Sequence, residues 1–222
     1  MPRRRTRSNT SAKKSATARK KREPKRNVTG EYKGIAFDSL EELAILQWLF
    51  ELKAAGYIKS IKRAESYLLS DSLINNYAEQ LKTSSRPKTQ TLLHGHSYTP
   101  EFVVTWYNKK GIEKFVWNIN KSTKFDAILI GEVDPIENVL NRVSEFTTYI
   151  EVKPTFDQNN MERLFKINQK WMWEKHKIFV NLIKVNALFT ETFTPKDYLV
   201  TPSGRPRKIN WKVKSLFNYI NS

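Results

Sequence analysis

The sequence predicts an α/β domain with a central mixed sheet flanked by helices. Three observations carry that expectation. Residues 38–55 place Leu43, Ile45, Leu46, Leu49, Phe50 and Leu52 on one broad apolar arc at helical spacing. Residues 147–153 alternate with period two, so a strand there sets Glu151 and Lys153 on one face and Ile150 and Val152 on the other. Helical and strand patterns then succeed each other in the core as helix, strands, helix, strand, the order of a layered α/β packing.

Residues 1–30 hold 12 basic residues against a single glutamate, so +11 of the net charge of +17 sits there. With almost no apolar residues, this segment is expected to be a disordered basic tail. The helix at 38–55 has Asp38 or Ser39 as a cap and Gly56 as its terminator. A charge-interrupted strand is expected over 57–69. The polar stretch 70–97 suggests one short helix near 74–81. Residues 98–107 read as a strand entered through Pro100, which suits the start of a strand better than its middle. A turn at 108–111 and a hairpin strand at 113–119 follow, with a short strand at 125–130 and a helix at 134–143. Beyond the 147–153 strand come an amphipathic helix at 159–175, a strand at 178–185, an irregular stretch and a terminal helix at 211–220. In domain terms, the tail 1–30 precedes a domain over 31–190, with an insertion around 110–146, and a basic extension covers 191–222.

Composition removes several function classes. The chain of 222 residues has no cysteine, which excludes disulfides, zinc thiolates and cysteine catalysis. Its basic start lacks a following apolar run, so it is not expected to be a secretory signal. No apolar stretch approaches the roughly 20 residues of a membrane span. An intracellular protein without a membrane partner is expected. The basic tail favours a polyanion through counter-ion release, with a solubility or localisation tail as the simpler alternative.

Three acidic fragments carry the chemistry. Glu42 falls near the centre of the helix's apolar arc, where a glutamate needs a partner; the alternative is an acid favoured by the helix N-terminus and pointing outward. Glu101 and Glu151 offer oxygen ligands of the kind that hold Mg²⁺, for which Mn²⁺ substitutes. Such an ion polarises a phosphate and lowers the pKa of an attacking water. Lys153 would stabilise developing negative charge. Arg163, Lys166 and Lys170 fall on one stripe of the 159–175 helix and form either a nucleic-acid contact, Lys166 foremost, or a solvated face. Arg205 and Arg207 lie in Ser203-Gly204-Arg205-Pro206-Arg207-Lys208, which resembles an AT-hook core or is an ordinary basic loop. His94 and His96 lack the further ligands of a zinc site and read as a polar loop.

Taken together, Phe37-Asp38-Ser39-Leu40-Glu41-Glu42, Tyr98-Thr99-Pro100-Glu101-Phe102 and Tyr149-Ile150-Glu151-Val152-Lys153 resemble the PD-(D/E)XK, or restriction-endonuclease-like, nuclease superfamily. Within it the likeness is to small phage-encoded endonuclease-like proteins and to transposon end-cleaving endonucleases. It covers about residues 32–185. The resemblance implies a restriction-endonuclease-like core, α-β-β-β-α-β, with Glu42 as the helix glutamate and Glu101 as the acid of the "PD" motif. Glu151 and Lys153 become the (D/E)XK pair. Glu101 stands where aspartate is usual, and the wide gap to Glu151 leaves Asp126 as a rival second acid. The implied function is metal-dependent cleavage of duplex or branched DNA in the host cytoplasm, with a homodimer making paired cuts left open. Two alternatives remain: a non-catalytic nucleic-acid-binding or virion-associated protein on the same fold, and a basic RNA-binding protein.

Overall fold

The computed structural model describes residues 28–116, 146–154, 161–201 and 203–222. The expected strand 125–130, helix 134–143 and rival acid Asp126 lie outside these residues, as does the tail up to residue 27.

The architecture is mixed α/β. A four-stranded sheet has the order β10-β9-β8-β3, built from β3 (Ile58–Arg63), β8 (Phe102–Trp106), β9 (Phe146–Lys153) and β10 (Val180–Lys184). β3–β8 and β8–β9 are antiparallel, whereas β9–β10 is parallel and is joined through α3 (Met161–His176), as a parallel pair requires. With α1 (Leu40–Ala54) preceding β3, the sheet's own elements run helix, three strands, helix, strand along the chain.

Helix α1 is buried nearly all round. Ala44, Ile45, Leu46, Trp48, Leu49 and Leu52 are all inside, the pattern of a helix covered on several sides. Ser39 caps it, with its Oγ accepting the Glu42 N–H at 3.1 Å, and Gly56 ends it at φ +80°. The sheet covers one side of α1. The hairpin β1 (Gly30–Tyr32) and β2 (Ile35–Phe37) covers another, turning through Lys33 and Gly34, both at positive φ, the type I′ pattern. Helices α4 (Val185–Glu191) and α5 (Leu216–Ile220) close the rest, so the C-terminal stretch contributes Phe193 and Leu216 to this core. The terminal helix is shorter than expected because Ser215, not Trp211, caps its start.

Two expectations are corrected. The described part of the expected hairpin strand, residues 113–116, is not a strand: Lys109–Phe115 is a helix, α2, capped by Asn108, whose Oδ1 accepts the Gly111 N–H at 3.0 Å. Both edges of β8 are already taken by β3 and β9, and Ile112, Phe115 and Val116 bury at helical spacing. Residues 74–81 are not a helix either. Strands β5 (Leu73–Gln80) and β6 (Ser85–Leu93) form a hairpin, standing on the small pair β4 (Tyr67–Ser70) and β7 (His96–Tyr98). Nearly every residue of the β5–β6 hairpin is exposed, so neither face carries the apolar alternation that announces a strand.

The other face of the sheet holds a smaller core of Leu69, Tyr98, Tyr149, Phe165, Met172, Ile178 and Val180, packed under α3. β9 thus sends Ile150 and Val152 to the α1 side and Tyr149 to the α3 side, as period two predicts. No helix among the described residues is long and apolar enough to cross a membrane.

Candidate functional site

Four separated segments bring acids and bases to one end of the sheet. Glu42 comes from the first turn of α1, Arg63 from the last residue of β3, Glu101 from the bend before β8, and Glu151 and Lys153 from the end of β9. The Glu101 backbone N–H donates to Ile150 O at 2.9 Å, and the Ala64 N–H donates to Glu101 O at 3.3 Å. Main-chain bonds to both neighbouring strands therefore hold Glu101 in place.

Glu42 is buried at 6% exposure and fully engaged. Its Oε1 accepts from Ser39 Oγ at 2.9 Å, and its Oε2 accepts from the Asp38 N–H at 2.9 Å. Glu42 thus ties the Ser39 cap and the residue before it to the first turn of α1, while the same Oε2 also meets Arg63 Nη1 at 2.8 Å. That Arg63 nitrogen lies 2.9 Å from Glu101 Oε2 as well, and Nη2 reaches Asp38 Oδ2 at 2.9 Å. The guanidinium also lies 5.4 Å from the Phe102 ring centroid. Burial opposes its charge, but Glu101, Glu42 and Asp38 outweigh that and hold Arg63 above its ordinary pKa.

Glu151 is 4% exposed and uses both oxygens. Lys153 Nζ stands 2.5 Å from Oε1, and the Tyr98 hydroxyl donates to Oε2 at 2.8 Å. Burial first, then the Glu151 charge and this hydrogen bond, raise the Tyr98 pKa. Glu101 carries the clearest acid perturbation. Burial, then the charges of Glu42 and Glu151, push its carboxyl up to about 7 against the pull of Arg63 and Lys153. Three carboxylates therefore share one electrostatic neighbourhood and hold more negative charge than the site settles by itself.

The donor set is all oxygen, of the kind suited to a hard divalent cation. As arranged, however, the carboxylates close on Arg63 and Lys153. Among the described residues, no three His, Asp or Glu side chains sit together as metal ligands. Arg63 bridges Asp38, Glu42 and Glu101, and Lys153 pairs with Glu151.

The remaining sequence candidates lie elsewhere. Arg163, Lys166 and Lys170 are exposed on α3. The first turn of that helix approaches the site end of the sheet, because Lys184, the register partner of Lys153, pairs with Glu162 at 2.8 Å. Arg205 is exposed, but the run around it is not extended. Thr201 N–H donates to Arg205 O at 2.8 Å and Gly204 N–H to Thr201 O at 2.8 Å, closing a turn. Arg207 lies half-buried with its guanidinium 4.5 Å from the Tyr198 ring centroid. That closed turn removes the extended shape a minor-groove hook needs. His96 meets Asn168 Oδ1 at 2.9 Å and packs edge-on against Trp171, so it anchors α3.

Arg63 and Tyr98 were the functional groups that sequence reasoning missed. Tyr98 belongs to a quoted motif and its hydroxyl was the available signal. Arg63 follows Lys62 on a charged strand and has no local mark, since its partners lie up to 38 positions away. No family model, curated protein or solved structure matches this chain.

Proposed function

We propose that this protein is a metal-dependent DNA endonuclease with a restriction-endonuclease-like core, acting on duplex or branched DNA of a phage or mobile element. The observation that carries the reading is the gathering of Glu42, Glu101, Glu151 and Lys153 from separate segments at one end of a mixed sheet. The order helix, three strands, helix, strand supports it, as does the basic excess of the chain.

Glu101 and Glu151, with Glu42 behind them, would hold Mg²⁺ or Mn²⁺, which when bound supplies phosphate polarisation and a more acidic water. Lys153 fixes the orientation of Glu151 and offers positive charge to the oxygen that gains negative charge at the scissile phosphate. Tyr98 holds the second Glu151 oxygen, so the carboxylate is oriented by two donors before substrate arrives. Main-chain bonds keep Glu101 beside it. The exposed bases of α3, Lys166 foremost, supply backbone contacts that position DNA without reading its sequence.

The closure of Asp38, Glu42 and Glu101 on Arg63 favours a second reading, a non-catalytic nucleic-acid-binding or virion-associated protein, in which the cluster is structural. Mg²⁺-dependent cleavage of supercoiled plasmid and of a synthetic four-way junction separates the two. Under the endonuclease reading, wild type cuts and Lys153→Ala lowers the rate by about 10²–10³-fold, the cost of losing one stabilising donor. Tight binding without cleavage in either Mg²⁺ or Mn²⁺ establishes the second reading.

A further inference from the structure

We infer that Arg63 is an exchangeable counter-ion of the acidic site. It holds Asp38, Glu42 and Glu101 together until a nucleic-acid phosphate draws its guanidinium away and frees Glu101 for a divalent cation. This rests on the endonuclease reading above and adds a residue that couples substrate binding to cation binding.

Geometry supplies the first half of the argument. One guanidinium nitrogen serves both Glu42 and Glu101, at 2.8 and 2.9 Å, while the other holds Asp38 at 2.9 Å. A divalent cation taking the same Glu101 carboxylate would meet a fixed positive charge within contact distance. Like charges so placed repel, and most strongly where solvent is partly excluded. Arg63 and the cation are therefore competitors for one carboxylate.

Position supplies the second half. Arg63 ends β3, and its side chain is 33% exposed, whereas that of Glu42 is 7% exposed. The acid is embedded and the base lies at the rim. Asp38, at 65% exposure, gives the guanidinium a partner nearer solvent. The face of Phe102 supports its planar group. A guanidinium fork fits a phosphate with two parallel hydrogen bonds, so a phosphodiester offers at least as good a partner as the one surrendered. Lys153 pairs with Glu151 on its own strand, β9, which lies two strands from that of Arg63.

Two ligands that each favour the state with Arg63 away from Glu101 must favour each other's binding. The coupling is read by calorimetric titration of the full chain with Ca²⁺, with and without a short DNA duplex, in wild type, Arg63→Gln and Glu151→Gln. In the absence of DNA, Arg63→Gln binds Ca²⁺ roughly tenfold more tightly than wild type, a size typical of coupling between sites. The duplex tightens Ca²⁺ binding to wild type about fivefold or more and leaves Arg63→Gln unmoved. Glu151→Gln abolishes uptake in both settings.

Arg63→Lys is the second variant. It keeps the charge but lacks the second nitrogen that reaches Asp38, so it preserves the fold where glutamine fails to and shifts Ca²⁺ affinity in the same direction by less. Wild-type or weaker affinity in the folded Arg63 variants, with Glu151-dependent uptake intact in wild type, overturns the counter-ion role and leaves the metal site standing. Absence of Glu151-dependent uptake from every protein overturns the metal site and the counter-ion role together.

Discussion

The two faces of the central sheet are built on different principles. On the α1 side, Trp48 stacks on Phe193 at 5.7 Å, meets Phe115 edge-on at 6.1 Å, and donates its indole N–H to Thr192 Oγ1 at 3.2 Å. Around it the core is apolar and closed. On the α3 side the core is small, and buried Glu151 and Asn168 share it. Helix α3 leaves Leu164, Ile167, Trp171 and Trp173 at the surface. The difference teaches that the α1 face secures the fold through the larger core, while the α3 face, with the smaller one, also seats the charge of Glu151. A charge such as that of Glu151 is tolerated there because both its oxygens are satisfied.

The comparison breaks first at Trp48. Trp48→Ala should cost about 3–5 kcal/mol of unfolding free energy by chemical denaturation, since it empties a fully buried site. Ile167→Ser on the exposed flank of α3 should stay within about 0.5 kcal/mol. Equal costs at the two positions would erase the proposed asymmetry.

Lys153→Ala sharpens it next. Alongside the rate loss predicted above, its circular dichroism spectrum should match that of wild type, because Tyr98 still holds Glu151. Loss of folded signal would make the lysine a structural counter-ion.

Ser39→Ala tests the seam between the faces, where the cap of α1 and the orientation of Glu42 share one hydroxyl. Removing it should lower stability by about 1 kcal/mol. Cleavage unchanged in this variant would separate the Ser39 cap from the site.

A separate test of the site lies in pH. The Glu101 carboxyl is raised to about 7 in the folded chain, above its ordinary value of 4.5. Between those values the folded state binds a proton that the unfolded state has released. Glu101 thus contributes stability that is complete below about 4.5 and is lost as pH rises through about 7. Thermal melts across that window should fall more steeply for wild type than for Glu101→Gln. Parallel slopes would mean that neither burial nor the charges of Glu42 and Glu151 raise the Glu101 carboxyl.

How much of this was legible depends on whether a residue's role is local. Helix α1 was readable because its apolar arc, Ser39 cap and Gly56 stop all lie within one stretch. Strand β9 was readable for the same reason, and its alternation assigned Glu151 and Lys153 to one face. Helix α2 also carried its signal, in Asn108 and in Ile112, Phe115 and Val116 at helical spacing, but that signal was read as an alternating strand. The β5–β6 hairpin had no such signal, because its residues pack against almost nothing. The Arg63 cluster was beyond reach: it exists only after β3 pairs with β8 and brings Arg63 opposite Phe102, beside Glu101.

The exposed hairpin has a consequence for how the molecule breathes. A two-stranded ribbon without a covering layer is marginal by itself, and among the described residues β5 and β6 are paired only with each other. Their cross-strand bonds can open without disturbing either core, whereas those of β9, flanked by β8 and β10, open only with the sheet. In deuterated water the amides of residues 73–93 should therefore exchange far sooner than those of β9. That contrast makes the ribbon an internal clock: any partner that grips it slows its exchange while the sheet keeps its own time.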